Sequence, residues 1–173
     1  MTRLLLVRHG ETDWNAEGRL QGQTDRSLSD YGRRQARQLA DALEGEELEA
    51  IYSSDLVRAR ETAEIVGRRL ELPVQLDHDL REKDWGTWEG LTAVERDRVE
   101  FVGESTEAHQ ERTLQALRRI SELHPGEGVV LVVTHGGSMR RVQTAAMRLA
   151  LPVVENCGRW LCEVENGTFR AVD

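Results

Sequence analysis

Two histidines stand where two apolar runs end. Leu4-Leu5-Leu6-Val7 leads into Arg8-His9-Gly10, and Val129-Val130-Leu131-Val132-Val133 leads into Thr134-His135-Gly136-Gly137. Continuous apolar runs mark strands of a parallel sheet covered on both faces, and ligands of such sheets bind outside the carboxyl ends of the strands. His9 and His135 are therefore expected in one pocket. Arg8 offers charged donors and the glycines allow close backbone approach, so a small anion, phosphate foremost, fits that pocket. An imidazole that is unprotonated near neutral pH can also act as a nucleophile.

Arg58 marks a second group suited to an anion. Ser53-Ser54-Asp55-Leu56-Val57-Arg58 passes from a predicted strand into a helix, where free backbone N–H groups and the helix dipole favour negative charge and Arg58 adds a forked donor. Arg60 points elsewhere, because residues i and i+2 do not share a helix face. Further on, Leu80-Arg81-Glu82-Lys83-Asp84-Trp85-Gly86-Thr87-Trp88-Glu89-Gly90 sets three carboxyls among two tryptophans. A carboxyl beside bound phosphate can serve as a general acid. Spacing alone leaves Glu82, Asp84 and Glu89 all open for that task.

For these groups to meet, strands and helices must alternate. The pattern predicts a strand over 3–8, a loop over 9–28, a helix over 30–44, a strand over 48–53, a helix over 56–70 and a strand over 73–77. It continues with an irregular stretch over 78–103, a helix over 105–123, a strand over 128–134, a helix over 137–149 and a hairpin near 159–172. This is an α/β chain, with a three-layer α/β/α arrangement around a mostly parallel sheet that ends in an antiparallel edge strand. Ser29 is placed to cap the helix from Asp30, Ser54 or Asp55 to cap the next, and Asn166-Gly167 is a hairpin signal. Ala108, Leu114, Leu117, Ile120 and Leu123 recur at multiples of three and form the stripe expected against the sheet. Without repeats or linker-like runs, residues 1–173 are expected to form one domain.

The formal charge of −8 and a pI near 5.2 argue against a nucleic-acid-binding face, which needs a basic patch. A few arginines inside a cleft still suffice for a small anion. Lys83 is the only lysine among 23 basic residues. No apolar stretch approaches the roughly 20 residues of a membrane span and no secretory leader pattern is present, so a cytoplasmic protein without membrane contact is expected. Cys157 and Cys162 have no companions at metal-ligand spacing, and carboxylates and histidines do not cluster as ligands elsewhere. Neither a metal nor a cofactor is expected.

Six motifs follow one another: Leu6-Val7-Arg8-His9-Gly10-Glu11-Thr12; Arg19-Leu20-Gln21-Gly22-Gln23-Thr24-Asp25 with Leu28 and Gly32; Ser53–Ala63; Leu80-Arg81-Glu82 with Gly86 and Glu89-Gly90; Gly103-Glu104-Ser105; and Thr134-His135-Gly136-Gly137. Together, over about residues 3–150, they resemble the histidine phosphatase superfamily in its phosphoglycerate-mutase-like branch. The resemblance implies that His9 is a nucleophile that becomes phosphohistidine. It implies a phosphate pocket of Arg8, Arg58 and His135, with Asn15 and the backbone N–H of Gly136 as further donors. Glu82 matches the proton donor, and Gln21 and Gly22 match loop positions that touch the phosphate or the leaving group. The implied activity is metal-independent hydrolysis of small-molecule phosphomonoesters.

Phosphoglycerate mutase-type phosphoryl transfer is the alternative reaction, and a non-catalytic phosphate-binding module is the alternative from another class. Mutases that this chain resembles carry an extended closing segment, whereas here only Thr92–Val102 lies between Leu91 and Gly103. Keeping a phosphoenzyme from water depends on a lid, so an open pocket and hydrolysis are expected. Trp14, Trp85 and Trp88 are placed either to line a leaving-group site or to pack. Arg26, Arg140 and Arg141 are expected at the surface, with recognition of a second anionic group as the alternative, and His78, His109 and His124 are expected at the surface. The apolar edge of the C-terminal hairpin allows a homodimer.

Overall fold

The first strand, β1 (Thr2–Arg8), is flanked on both sides by strands from the far end of the chain. The computed structural model describes residues 1–126, 128–147 and 153–172. The other strands are β2 (Leu48–Ser53), β3 (Val74–Leu76), β4 (Val129–Thr134), β5 (Arg159–Glu165) and β6 (Thr168–Ala171), and the sheet order is β3-β2-β4-β1-β5-β6. β3, β2, β4 and β1 are mutually parallel, while β5 pairs antiparallel with β1 and β6 antiparallel with β5 to complete one side. Asn166 and Gly167, which join β5 to β6, both have positive φ, at 49° and 74°, the backbone that a tight hairpin turn requires.

The helices are α1 (Asp13–Ala16), α2 (Asp30–Ala42), α3 (Val57–Leu70), α4 (Ala93–Arg96), α5 (Thr106–Leu123) and α6 (Gly136–Met147). On one face of the sheet Leu39, Leu43, Ala63 and Val66 pack against Val7, Ile51, Leu131 and Val133. On the other, Leu114, Leu117, Ile120, Met139 and Val142 pack against Leu4, Leu6, Val130 and Val132. This three-layer α/β arrangement buries large apolar side chains worth about 1.5–3 kcal/mol each. It holds the carboxyl ends of β1, β2 and β4 in fixed relation.

Several local expectations are corrected. The loop over 9–28 contains α1, closed by a capping box between Thr12 and Asn15, and 78–103 contains two short 3-10 turns and α4. Ser29 caps α2, with Gly32 N–H donating to its hydroxyl oxygen. Neither Ser54 nor Asp55 caps α3; the Val57 N–H instead donates to Asp25 Oδ1 at 2.8 Å, a cap from 32 residues away. In α5, Ala108 and Leu123 are exposed, because each three-residue step drifts by about 60° around a helix of 3.6 residues per turn. The buried stripe is His109, Thr113, Leu114, Ala116, Leu117, Ile120 and Ser121. The predicted end of the last helix at 148–149 lies outside the described residues.

Candidate functional site

β1 and β4 are parallel neighbours with Arg8 opposite Thr134, and the His9 N–H continues the ladder by donating to Thr134 O at 3.0 Å. This register sets the rings of His9 and His135 with centroids 5.2 Å apart. His9 Nδ1 lies 2.7 Å from Gly10 O. A carbonyl only accepts, so Nδ1 carries the proton and Nε2 keeps its lone pair. His135 is fully buried behind His9, with Nε2 2.9 Å from Ser54 Oγ, the hydroxyl oxygen that also accepts from Leu56 N–H at the end of β2. Burial, with Arg58 and then Arg8 nearby, holds His9 well below the ordinary imidazole value of 6.5. His135 is lowered likewise by burial, then by Arg58 and by His9.

Arg58, in the first turn of α3, is 1% exposed. Its fork is partly committed: Nη2 donates to Gly22 O at 2.5 Å and Nη1 to Thr24 O at 3.1 Å, which fastens the loop after α1. Burial lowers its pKa to about 10, and it remains charged at neutral pH. Arg8 donates through Nη1 to Val154 O at 2.8 Å. Among the described residues Arg8 Nε, Arg58 Nε and His135 Nδ1 are buried without a hydrogen-bond partner. Buried polar atoms are rarely left so, and three at one strand-end crevice mark a place built for an acceptor.

The structure separates the three carboxyls. Glu82 lines the cleft; its Oε2 accepts from the Gly137 N–H at 2.9 Å and its Oε1 from the Lys83 N–H at 2.8 Å. Glu89 is a brace instead. It accepts from the backbone N–H groups of Gln23 (2.8 Å), Thr24 (2.8 Å) and Trp85 (3.1 Å), and from the Thr24 hydroxyl. Gly22, at φ 56°, packs on it so closely that a Cβ would collide with the Glu89 carboxylate. Asp84 is exposed and accepts from Gly86 N–H in a turn.

The cleft has a volume of about 320 Å³. Arg8, His9, Arg58 and Glu82 line it, as do Asn15, Gln21, Gly22 and Gly136. Asn15 Oδ1 is used in the capping box, so donation to a ligand falls to its NH2 group, and Gln21 Oε1 accepts from Thr12 Oγ1 at 2.8 Å. Gly136 opens α6 directly after the end of β4, where the first N–H groups of a helix have no partner within it.

Sequence reasoning missed His109. It is 2% exposed, not at the surface, with Nε2 2.9 Å from Ser138 Oγ and 3.6 Å from Glu82 Oε1. The signal was the i, i+4, i+8 spacing of His109, Thr113 and Leu117 on the buried face of α5. His124 is also partly buried, between Tyr52 and Glu49, while His78 is exposed. Arg140 and Arg141 are half-buried and line the cleft; Arg26 is at the surface, paired with Asp13. Of the tryptophans placed either to line or to pack, Trp85 lines the cleft, and Trp88 stacks behind it at 6.1 Å.

The model of the family described as Histidine phosphatase superfamily (branch 1) matches residues 4–172. The chain is 40% identical over 162 residues to phosphoglycerate mutase-like protein 4 of Arabidopsis thaliana, covering 83% of this chain and 70% of the relative. It is 37% identical over 161 residues to the metal-independent phosphoserine phosphatase of the same plant, covering 82% and 67%. Among solved structures, mycobacterial glucosyl-3-phosphoglycerate phosphatase in complex with VO3 superposes with a TM-score of 0.90 at 31% identity, over 99% of this chain and 98% of that one.

Proposed function

The chain belongs to the histidine phosphatase superfamily (branch 1), and from that membership we propose that it is a metal-independent phosphatase. On this reading residues 1–173 act as a single domain that hydrolyses small phosphomonoesters through a phosphohistidine on His9. That it is a phosphoric monoester hydrolase is supported by relatives named as phosphatases across most of its length. The observation that carries the mechanism is the Nδ1–H bond of His9 to Gly10 O, which leaves Nε2 as an unprotonated nucleophile beside unpartnered donors.

His9 Nε2 attacks phosphorus in line with the ester oxygen, and the P–O bond breaks as Glu82 passes its proton to the departing alkoxide. Arg8, Arg58, Asn15 and the Gly136 N–H hold the phosphoryl oxygens, whose spread of charge is what such a reaction needs stabilised. Ser54 Oγ, accepting from Leu56, has its hydroxyl proton to give to His135 Nε2, which leaves His135 Nδ1–H as a further donor. Gln21 and Gly22 shape the same wall. In the second half Glu82, now a carboxylate held by two backbone N–H groups, takes a proton from water as the water oxygen attacks phosphorus. The N–P bond breaks, and phosphate and the free imidazole result. Splitting the displacement replaces one hard step by two easier ones.

Among the described residues no three His, Cys, Asp or Glu side chains are grouped to hold a metal. The test is phosphate release from a panel of esters in EDTA, with His9→Ala beside the unaltered chain. Release that needs no metal and disappears in the variant is the expected result. Release that persists in His9→Ala, or that EDTA abolishes, overturns the reading.

A further inference from the structure

Thr106, His109 and Arg112 stand one turn apart on α5, and all three meet residues 82 and 83. Thr106 Oγ1 accepts from Lys83 Nζ at 3.1 Å, His109 Nε2 lies 3.6 Å from Glu82 Oε1, and Arg112 Nη2 donates to Glu82 O at 2.9 Å. Spacings of three make side chains neighbours on a helix surface. The other four N–H groups of Arg112 are also engaged, by Asp79 O at 2.9 Å, Arg81 O at 2.8 Å and the two oxygens of Glu104 at 2.7 and 2.8 Å. The main chain that carries Glu82 is thereby clamped to α5.

The clamp fixes the backbone of Glu82, and His109 meets its carboxyl. On the buried stripe of α5, where Leu114, Leu117 and Ile120 serve packing, an imidazole is a costly filling because its ring nitrogens need partners. His109 is 2% exposed, lines the cleft, and has the fully buried Ser138 beside it. Ser138 Oγ donates its proton to Arg81 O at 3.3 Å and so accepts from His109 Nε2 at 2.9 Å. Nε2 therefore carries the imidazole proton. Burial holds the ring below the ordinary 6.5 in spite of the Glu82 carboxylate, so it is neutral at neutral pH. Its N–H is set between two neighbours, Ser138 Oγ at hydrogen-bond distance and Glu82 Oε1 just beyond it.

Resting on the phosphatase reading above, we propose that His109 is a positioning residue: anchored on Ser138, its Nε2–H holds the Glu82 carboxyl in the one place from which it gives a proton to the alkoxide and later takes one from water. The Gly137 and Lys83 N–H groups each hold one oxygen of that carboxyl, and His109 adds a third point on the Oε1 side. Three points fix a planar group that two leave free to rock.

The test compares glycerol 3-phosphate, an alkyl ester, with 4-nitrophenyl phosphate, whose leaving group departs without protonation. In His109→Leu, kcat on the alkyl ester is expected to fall about tenfold, part of the roughly 100-fold that a 1 Å misplacement costs, with KM and aryl turnover nearly unchanged. His109→Gln, whose amide N–H replaces Nε2–H, restores most of the loss. Ser138→Ala repeats the selective loss from another helix, and the doubly altered chain loses no more than His109→Leu alone, since both changes break one contact. Full alkyl activity in His109→Leu, equal losses on both esters, or losses that multiply in the double variant overturn the positioning role, while aryl hydrolysis that persists in EDTA and needs His9 keeps the phosphatase reading. If His109→Leu does not fold, Ser138→Ala decides: a selective alkyl loss upholds the role and an equal loss overturns it. If the unaltered chain hydrolyses only the aryl ester, the positioning role falls alone; if it hydrolyses neither, the phosphatase reading falls as well.

Discussion

The backbone N–H of Gly137 donates to Glu82 Oε2 at 2.9 Å, and a Cβ at position 137 would overlap the same carboxyl group. The second glycine of the His-Gly-Gly motif is thus set by a side chain 55 residues earlier. It allows α6 to begin against the carboxylate and gives it a donor.

Gly137→Ala therefore displaces Glu82 without touching the phosphate end. A shift of about 1 Å in a reacting group costs on the order of 100-fold, so kcat on alkyl phosphates is expected to drop by that order while the far-UV spectrum stays the same. Unaltered kcat would show that Glu82 does not need this position.

Glu82→Gln keeps the shape and removes the proton. Hydrolysis of alkyl phosphates is expected to fall about 100-fold or more, within the usual range for a general acid, and that of aryl phosphates much less, since their leaving groups depart without protonation. Equal losses on both would assign Glu82 a structural part only.

Glu89→Ala removes an acceptor shared by three backbone N–H groups and the Thr24 hydroxyl. Leaving such donors unsatisfied costs about 1–3 kcal/mol. A lowered urea midpoint is expected, with alkyl and aryl turnover reduced in the same proportion because Gln21 and Gly22 lose their support. A preferential loss on alkyl esters would reassign the acid to Glu89.

His9, His109 and His135 are buried, and burial is the first cause that lowers each below the ordinary 6.5. As pH falls through the unfolded value, the unfolded chain takes up protons that the folded chain does not, so stability falls with pH. The loss is expected to begin near pH 6.5 and to continue until the folded imidazoles protonate, at about 1.4 kcal/mol per pH unit for each histidine. Urea midpoints at pH 7.5 and 5.5 measure it. Inorganic phosphate, placed beside His9 and His135, should narrow the gap; equal midpoints without phosphate would contradict the burial of neutral rings.

The strand ends were legible because Arg8-His9-Gly10 and Thr134-His135-Gly136 follow runs that only buried strands explain, and parallel pairing then leaves little freedom in where the rings meet. The proposed acid was not legible from spacing. Glu82, Asp84 and Glu89 differ in what their neighbours donate, and those neighbours are Gln23, Thr24, Lys83, Trp85, Gly86 and Gly137. His109 was hidden for a related reason: its helix stripe includes Thr113 and Ser121, so counting apolar residues alone rotated the buried face. The α3 cap was hidden too, since Asp25 reaches Val57 across a loop that no local rule connects.

Among the described residues β1 pairs in the sheet with β4 and β5 alone. During synthesis β1 has both hydrogen-bonding edges open until residues beyond 129 leave the ribosome. Such non-local pairing folds slowly and exposes strand edges meanwhile. No amino-terminal fragment ending before β4 can bring the two histidines together, so C-terminal truncations short of Thr134 should yield insoluble chain rather than a weak enzyme. The position that gives the centre its rigidity also delays its assembly until β4 has been made.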